Sequence, residues 1–171
     1  MKKTLLDYFY IKSGNEIKLY SDIDASALIE MANCHIDREN GNALDYSLPE
    51  LEKFIFEILG EYVSNGVSDF LLNKLNDNLK TVIIQCVVEK IEGKLSTIHI
   101  AHMPQNPCPS MFGAYFFSRV ISLGGLKELK KCSYNSCLKF YTGRSNTKWC
   151  SKSCGSAYRV KKMRKNKKAT C

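Results

Sequence analysis

The chain has 171 residues, of which 44% are hydrophobic and 25% are charged. A composition this close to the globular average excludes a fibrous, collagen-like or wholly disordered protein, and the length suffices for one domain with a substantial core plus a small appendage. Two numbers depart from the average, a formal net charge of +8 and eight cysteines.

The positive charge is concentrated towards the C-terminus. Residues 1–126 carry 11 Lys and Arg against 16 Asp and Glu, whereas residues 127–171 carry 14 Lys and Arg against a single acidic residue, Glu128. This asymmetry predicts two parts, an N-terminal domain over residues 1–126 and a C-terminal module over residues 127–171. It also indicates a polyanionic partner for the module.

Nothing near the N-terminus has the composition of a secretory signal, because Asp7 interrupts the apolar run that follows Lys2 and Lys3. No stretch approaches the roughly 18 uncharged apolar residues of a membrane span. We therefore expect a cytoplasmic protein without a membrane partner, whose thiols stay reduced. The cysteines then need an explanation other than disulfides.

The first elements are weakly marked. Residues 4–20 predict a hairpin, with turn residues at Ser13-Gly14-Asn15. Residues 24–33 fit either a helix or a strand, and periodicity alone does not separate the two. The helical stripe comprises Ala25, Leu28, Ile29 and Ala32, and the alternating set comprises Ala27, Ile29 and Met31. A polar loop is predicted from Asp37 to Asp45.

Two helices follow. Ser47 and Glu50 form the S-x-x-E pattern of a capping box before a helix over residues 48–64, and Asn65-Gly66 ends it. Its apolar face comprises Leu51, Phe54, Ile55, Ile58, Leu59, Tyr62 and Val63. A second helix is predicted from Ser68 to about Lys80, with inward residues Leu71, Leu72, Leu75 and Leu79.

The pattern then becomes extended. The β-branched run from Val82 to Val88 predicts a well-buried strand, and Glu92-Gly93 turns the chain into a return strand from Leu95 to Ala101. After a Pro-rich loop, a helix is predicted from Ser110 to about Leu123. Helices and antiparallel strands together predict an α+β fold.

Four cysteines have the spacing of a metal site. Cys132-x4-Cys137 and Cys150-x3-Cys154 are two close pairs separated by twelve residues, which fits one tetrahedral zinc ion. Four protein ligands leave no open position, so the zinc would be structural, and a module this small needs it to fold. The alternative is ordinary reduced thiols, which is how we interpret the other four cysteines, Cys34, Cys86, Cys108 and Cys171.

Basic residues surround these cysteines, and a helix is predicted to start near Cys154. Basic groups interleaved with aromatic rings suit contact with nucleic-acid phosphates. The candidate contacts are Lys148, Lys152, Arg159, Lys161, Lys162, Arg164 and Lys165. Phe140 and Trp149 are better interpreted as a small core. A solvated, solubilising tail is the alternative; a membrane surface is disfavoured, since no apolar face opposes the charges.

The N-terminal domain offers little chemistry. The three histidines are His35, His99 and His102, and a lone histidine beside a strand is usually structural. A metal or Cys/His site formed by His99, His102 and Cys108 is the weaker alternative. No P-loop, dinucleotide fingerprint, HExxH motif or nucleophile elbow is present. We therefore predict that the protein is not an enzyme and has no catalytic residues.

Residues 130–156, KKCSYNSCLKFYTGRSNTKWCSKSCGS, resemble the CGNR-type zinc finger of bacterial proteins described as stress-induced transcription regulators. The resemblance lies in Phe140, Ser145-Asn146, Lys148-Trp149-Cys150-Ser151 and Cys154-Gly155. It departs in the spacing of the last cysteine pair and in Ser156-Ala157, which stand where the family has Asn-Arg. By position, the resemblance implies the same four cysteine ligands.

The family also carries an N-terminal α+β domain called ABATE. Residues 29–34 resemble its strand ending in Asn-Thr, which favours the extended alternative for residues 24–33, and residues 72–76 resemble a helix of that domain. The resemblance implies a transcription regulator that binds double-stranded DNA through the finger, while the N-terminal domain senses a small-molecule ligand or mediates assembly. An RNA-binding or translation-associated zinc protein is the alternative, and the oligomeric state stays open.

Overall fold

The computed structural model describes residues 10–12, 16–19, 25–41, 48–91, 93–122 and 124–169. Helices and small antiparallel sheets alternate along these residues, which confirms the predicted α+β class. The elements are β1 Tyr10–Lys12, β2 Glu16–Leu19, α1 Ala25–Glu39, α2 Pro49–Asn65, α3 Asp69–Leu79, β3 Ile83–Ile91, β4 Lys94–His102, α4 Pro109–Ser122, β5 Leu129–Lys131, β6 Phe140–Thr142 and α5 Lys152–Ala169.

The strands form two sheets. The larger has the order β1-β2-β4-β3, and the smaller pairs β5 with β6. The predicted N-terminal hairpin is confirmed where it is described, with Ile11 opposite Ile17 in an antiparallel register. Residues 4–9, the turn at residues 13–15 and residue 20 lie outside the described residues.

Residues 25–39 form a helix, so the extended interpretation taken from the family resemblance is wrong. Ala25, Leu28, Ala32 and Ile36 are buried at the three- and four-residue spacing of one helix face. Helix α1 contacts α2, α4 and β6, so it is buried around much of its circumference. Ala27 and Met31 are buried as well, and both belong to the alternating set that suggested a strand.

The end of α1 also differs from the prediction. The helix continues through Glu39, so the first three residues of the loop predicted from Asp37 are helical. Gly41 then takes a φ of 81°, a left-handed conformation that favours glycine. Residues 42–47 lie outside the described residues.

Helix α2 confirms its predicted apolar face, because Leu51, Phe54, Ile55, Ile58 and Leu59 are all buried. Its start lies one residue later than predicted. The N-cap position is held by residue 48, a leucine without a capping oxygen, and no side chain caps the helix there. Ser47, the predicted cap, lies outside the described residues.

Helix α3 begins as predicted, with the Ser68 hydroxyl accepting a hydrogen bond from the Leu71 amide at 3.2 Å. Leu71 and Leu75 are buried as predicted, and Leu79 packs partly buried against the core. Leu72 was predicted to face inward but is 42% exposed. It lies one residue beyond Leu71, which turns it towards the edge of the buried face.

The strand predicted at Val82–Val88 forms as β3, but its predicted burial is wrong. Ile83, Ile84 and Val88 are 69%, 46% and 66% exposed. β3 lies at one end of the strand order, and its pairing with β4 accounts for nearly all its contacts. The β-branched run therefore reflects strand propensity rather than burial on both faces.

The core lies between α1, α2, α3 and α4. Helix α4 supplies its largest buried side chains, Tyr115, Phe116 and Phe117, and begins one residue earlier than predicted. The larger sheet contributes Ala101 at the end of β4, followed by Met103. Within the part of the chain that the structure describes, no helix combines the length and apolar character needed to cross a membrane.

A four-cysteine centre beside a basic helix

The first pair of predicted metal ligands lies in a tight reversal after β5, which we call the first cysteine turn, residues 132–139. The Cys132 amide donates to the Lys139 carbonyl at 2.9 Å, and the Cys137 amide donates to the Tyr134 carbonyl at 2.8 Å. Leu138 has a φ of 58°, uncommon for a side chain of this size. These constraints turn both thiols towards the same point.

The second pair lies at the start of α5, in what we call the second cysteine turn, residues 150–154. Cys154 stands in the first turn of the helix, and its amide donates to the Ser151 hydroxyl at 3.2 Å. The Ser133 amide donates to the Lys148 carbonyl at 2.9 Å and so joins the first cysteine turn to the segment that leads into the second.

The four sulfur atoms converge as the spacing predicts. Every pair of sulfur atoms lies within 4.8 Å, with Cys137 Sγ 3.5 Å and Cys154 Sγ 3.6 Å from Cys150 Sγ. Cys132 is buried, and the other three are partly buried. Four thiols packed this closely can hold one metal ion.

The environments of the thiols differ. Burial raises the pKa of Cys137 and of Cys150 above the ordinary value of 9.0. For Cys154, which is more accessible, the hydrogen bond with the Ser151 side chain lowers the pKa. Cys137 and Cys150 thus favour the neutral thiol, and a bound cation would reverse that preference.

Three lysines beside the cysteine turns are engaged with the protein. Lys130 Nζ donates to the carbonyls of Arg144 and Thr147, which holds the loop after β6 in place. Lys131 Nζ lies 5.5 Å from the centroid of the Phe56 ring. Lys139 Nζ lies 2.7 Å from Asp37 Oδ1 of α1, and this hydrogen-bonded partner raises its pKa.

The seven predicted nucleic-acid contacts are all exposed. One precedes the second cysteine turn and the other six lie along α5, which contains no acidic residue. The seven are Lys148, Lys152, Arg159, Lys161, Lys162, Arg164 and Lys165. The structure therefore collects these cations on and beside one helix, at the edge of the four-cysteine centre.

Phe140, Trp149, Tyr158 and Tyr134 of the module lie in three different environments. Phe140 is 1% exposed and is buried as predicted, but it belongs to the main core and not to a separate small core of the module. Trp149 packs over Gly155, where an added Cβ would lie 3.1 Å from Trp149 Cε3, and its ring centroid lies 5.8 Å from that of Tyr158. Tyr134, in contrast, faces the Lys161 ammonium group, 5.9 Å from its ring centroid.

The histidines of the N-terminal domain do not belong to this group of ligands. His99 Nδ1 is 3.4 Å from Cys86 Sγ, and His102 Nε2 is 3.0 Å from Gln85 Oε1. His35 stacks at a tilt on Phe56. Among the described residues, the four cysteines are the one His, Cys, Asp or Glu group that converges on a point.

The sequence does not predict one polar contact of the module, which joins it to α1. The Asn33 side chain of α1 accepts from the Phe140 amide at 2.9 Å and donates to the Phe140 carbonyl at 3.0 Å. The Asn33 side chain thereby pairs with both the backbone amide and the backbone carbonyl of Phe140, a strand residue 107 positions away along the chain. An asparagine in a helix gives no sequence signal for such a contact.

Comparison of the chain with models of known protein families gives no match, and comparison with curated proteins gives none either.

Proposed function

We propose that the four cysteines hold one structural zinc ion. Thiolate sulfurs about 2.3 Å from zinc in a tetrahedron would be about 3.8 Å apart, close to the 3.5 and 3.6 Å separations around Cys150. An all-cysteine set is also the soft donor set that zinc takes in closed sites. With all four positions filled by protein, the zinc would shape the module and take no part in chemistry.

We propose further that the module binds nucleic acid, and double-stranded DNA in particular, as part of a transcription regulator that is not an enzyme. The observation that carries this is the exposure of all seven basic side chains on and beside an 18-residue helix free of acidic residues. Such a helix is about 27 Å long and has a diameter that the major groove of DNA admits.

The likeness of residues 130–156 to CGNR-type fingers supports the same proposal through its cysteine, tryptophan and glycine positions. The ABATE-like interpretation of the N-terminal domain loses its strand, because that segment is helical. A role of this domain in sensing a small molecule or in assembly is proposed by analogy with the family. An RNA backbone would meet the same cations, so the test must include both nucleic acids.

The test is the salt dependence of binding by the full chain. If about five phosphates are neutralised, log K falls against log salt with a slope of roughly −4 to −5, a loss of roughly 500-fold between about 50 and 200 mM salt. Arg164→Gln, on exposed helix surface, should reduce the magnitude of the slope by about 0.9. Lys94→Gln, an exposed lysine of β4, is the matched control and should leave the slope unchanged.

Salt-independent affinity for duplex DNA, or an Arg164→Gln slope equal to that of Lys94→Gln, would contradict the proposal. Competition between duplex DNA and structured RNA of equal length is measured in the same assay. A preference for RNA would favour the translation-associated alternative over a transcription regulator.

A further inference from the structure

A groove lies between the first cysteine turn and α5, beside the proposed zinc site. This open groove has a volume of about 460 Å³, within the range of roughly 300–1,000 Å³ typical of small-ligand sites. One wall belongs to the first cysteine turn and the other to one face of the helix. Its lining residues are Tyr134, Asn135, Tyr158, Lys161, Lys162, Lys165 and Asn166.

The lining combines two kinds of group. Three ammonium groups come from α5, and no lining residue is acidic, so the groove favours an anion. Two phenol rings, those of Tyr134 and Tyr158, provide flat apolar surface beside these charges. The ring of Tyr158 is supported from behind by Trp149, at a centroid distance of 5.8 Å and a tilt of 45°.

The contact between Lys161 and Tyr134 shows that the two walls already interact. The Lys161 ammonium lies 5.9 Å from the ring centroid, within the range of a cation–π contact. Arg159 makes the equivalent contact with Trp149 at 5.8 Å on the same helix. Aromatic rings next to cations are the surface on which unpaired bases stack while their phosphates are neutralised.

The geometry points to a binding site for one unpaired nucleotide, whose base stacks on Tyr134 and whose phosphate is held by Lys162 and Lys165. This inference rests on the proposed function, because α5 would grip the adjoining duplex while the groove takes the nucleotide beyond its end or in a bulge. The ligand is thus a duplex with an adjacent unpaired nucleotide, in DNA or in RNA. Base pairing in a blunt duplex would keep every base out of the groove.

The experiment compares three probes by fluorescence anisotropy with the full, metal-loaded chain: a blunt DNA duplex, the same duplex with an unpaired DNA overhang, and the same duplex with an RNA overhang. We expect about tenfold tighter binding for at least one overhang, within the range for base–aromatic stacking. A gain by one overhang alone identifies the sugar, and a gain by both shows that the groove accepts either.

Variants at Tyr134 separate stacking from charge. Tyr134→Leu should make overhang and blunt affinities equal and leave blunt-duplex affinity within about twofold, whereas Tyr134→Phe should keep the preference because it keeps the ring. Met163→Ala removes a side chain that is 63% exposed on α5 and does not line the groove, and serves as the control. One metal ion per chain in each variant verifies that the module is folded.

The outcomes distinguish this inference from the proposed function. Salt-dependent binding of the blunt duplex with no gain from either overhang, or a gain that survives Tyr134→Leu, overturns the groove assignment and leaves the proposed function standing. Absence of binding to every probe overturns both. Displacement of the overhang probe by an acidic peptide, with no displacement by a single-stranded oligonucleotide, overturns the inference in favour of a protein partner.

Discussion

Gly113 of α4 packs directly against side chains of α2. A Cβ built there would lie 2.5 Å from Phe54 Cδ1 and 3.2 Å from Ile55 Cδ1, both on buried side chains. At Gly60 of α2, the nearest atom to an added Cβ is Phe140 Cζ at 3.9 Å, an ordinary contact. The two helical glycines thus differ in the space available beside them.

Gly113→Ala should destabilise the protein by about 1–3 kcal/mol, because the clash with the Phe54 ring exceeds the gain in helix propensity. Gly60→Ala should stabilise it by up to about 1 kcal/mol, since only the propensity changes. Urea unfolding followed by circular dichroism measures both. A shift of the two midpoints in the same direction would contradict the close packing of α4 on α2.

Tyr115 is fully buried, and its hydroxyl has no hydrogen-bond partner among the described residues. Burial raises the pKa of Tyr115 from 10.0 to about 12. The folded state therefore favours the neutral phenol. The stability that this preference gives the folded state is complete below pH 10 and is lost as the pH rises through about 12. This rise in the pKa of Tyr115 corresponds to about 2–3 kcal/mol of folded-state stability.

Tyr115→Phe removes both the unpaired hydroxyl and the titration. We expect the variant to be more stable by up to about 1 kcal/mol at pH 8 and its advantage over the wild type to grow steadily between pH 10 and 12. The difference between the two free energies of unfolding at each pH cancels the titration of the lysines and thiols that both proteins share. A constant difference across this pH range would show that the phenol is not desolvated.

At the level of elements, the sequence was most informative where one face alone is buried. Helix α2 shows an apolar stripe from Leu51 to Leu59, and it was predicted to within one residue at each end, although no side chain caps it at residue 48. Helix α1 could not be assigned by the same reasoning, because partners on several sides bury residues off the stripe. In β3, propensity revealed the strand, yet only the sheet order reveals that Ile83 is exposed.

The candidate site was also predicted only in part. Cysteine spacing was enough to predict that Cys132, Cys137, Cys150 and Cys154 come together, because metal ligands need close pairs. Charge counting identified the exposed cations of α5. The groove against Tyr134 could not be predicted, since it depends on how the first cysteine turn and the helix lie relative to each other.

For the whole molecule, the division between residues 126 and 127 stays a prediction based on charge, and packing crosses it. Phe140 of the module is buried with the main core, and its ring centroid lies 5.6 Å from that of Phe56 in α2. Asn33 pairs with the Phe140 backbone, and Asp37 pairs with Lys139. A metal ion held by the four cysteines would therefore also position the strand whose Phe140 backbone pairs with Asn33 of α1.

We accordingly expect removal of the metal to loosen α1 as well as the module. A chelator should increase amide hydrogen exchange at Phe140 and along α1, because β6 loses the cysteine turn that fixes one of its ends. Helix α3, Asp69–Leu79, packs on α2 and α4 and serves as the internal control, with little change expected. Exchange is read by mass spectrometry, and the metal released, expected to be about one zinc per chain, is measured alongside.

Asn33→Ala provides the same test without a chelator. It removes two hydrogen bonds and leaves the Phe140 amide and carbonyl without their partner, so we expect a loss of about 2 kcal/mol in the free energy of unfolding and faster metal loss to a chelator. Asp37→Ala removes only a half-exposed ion pair with Lys139 and should cost less than about 1 kcal/mol. If metal loss from Asn33→Ala is as slow as from the wild type, the two parts are energetically independent, because coupling between two sites must act in both directions.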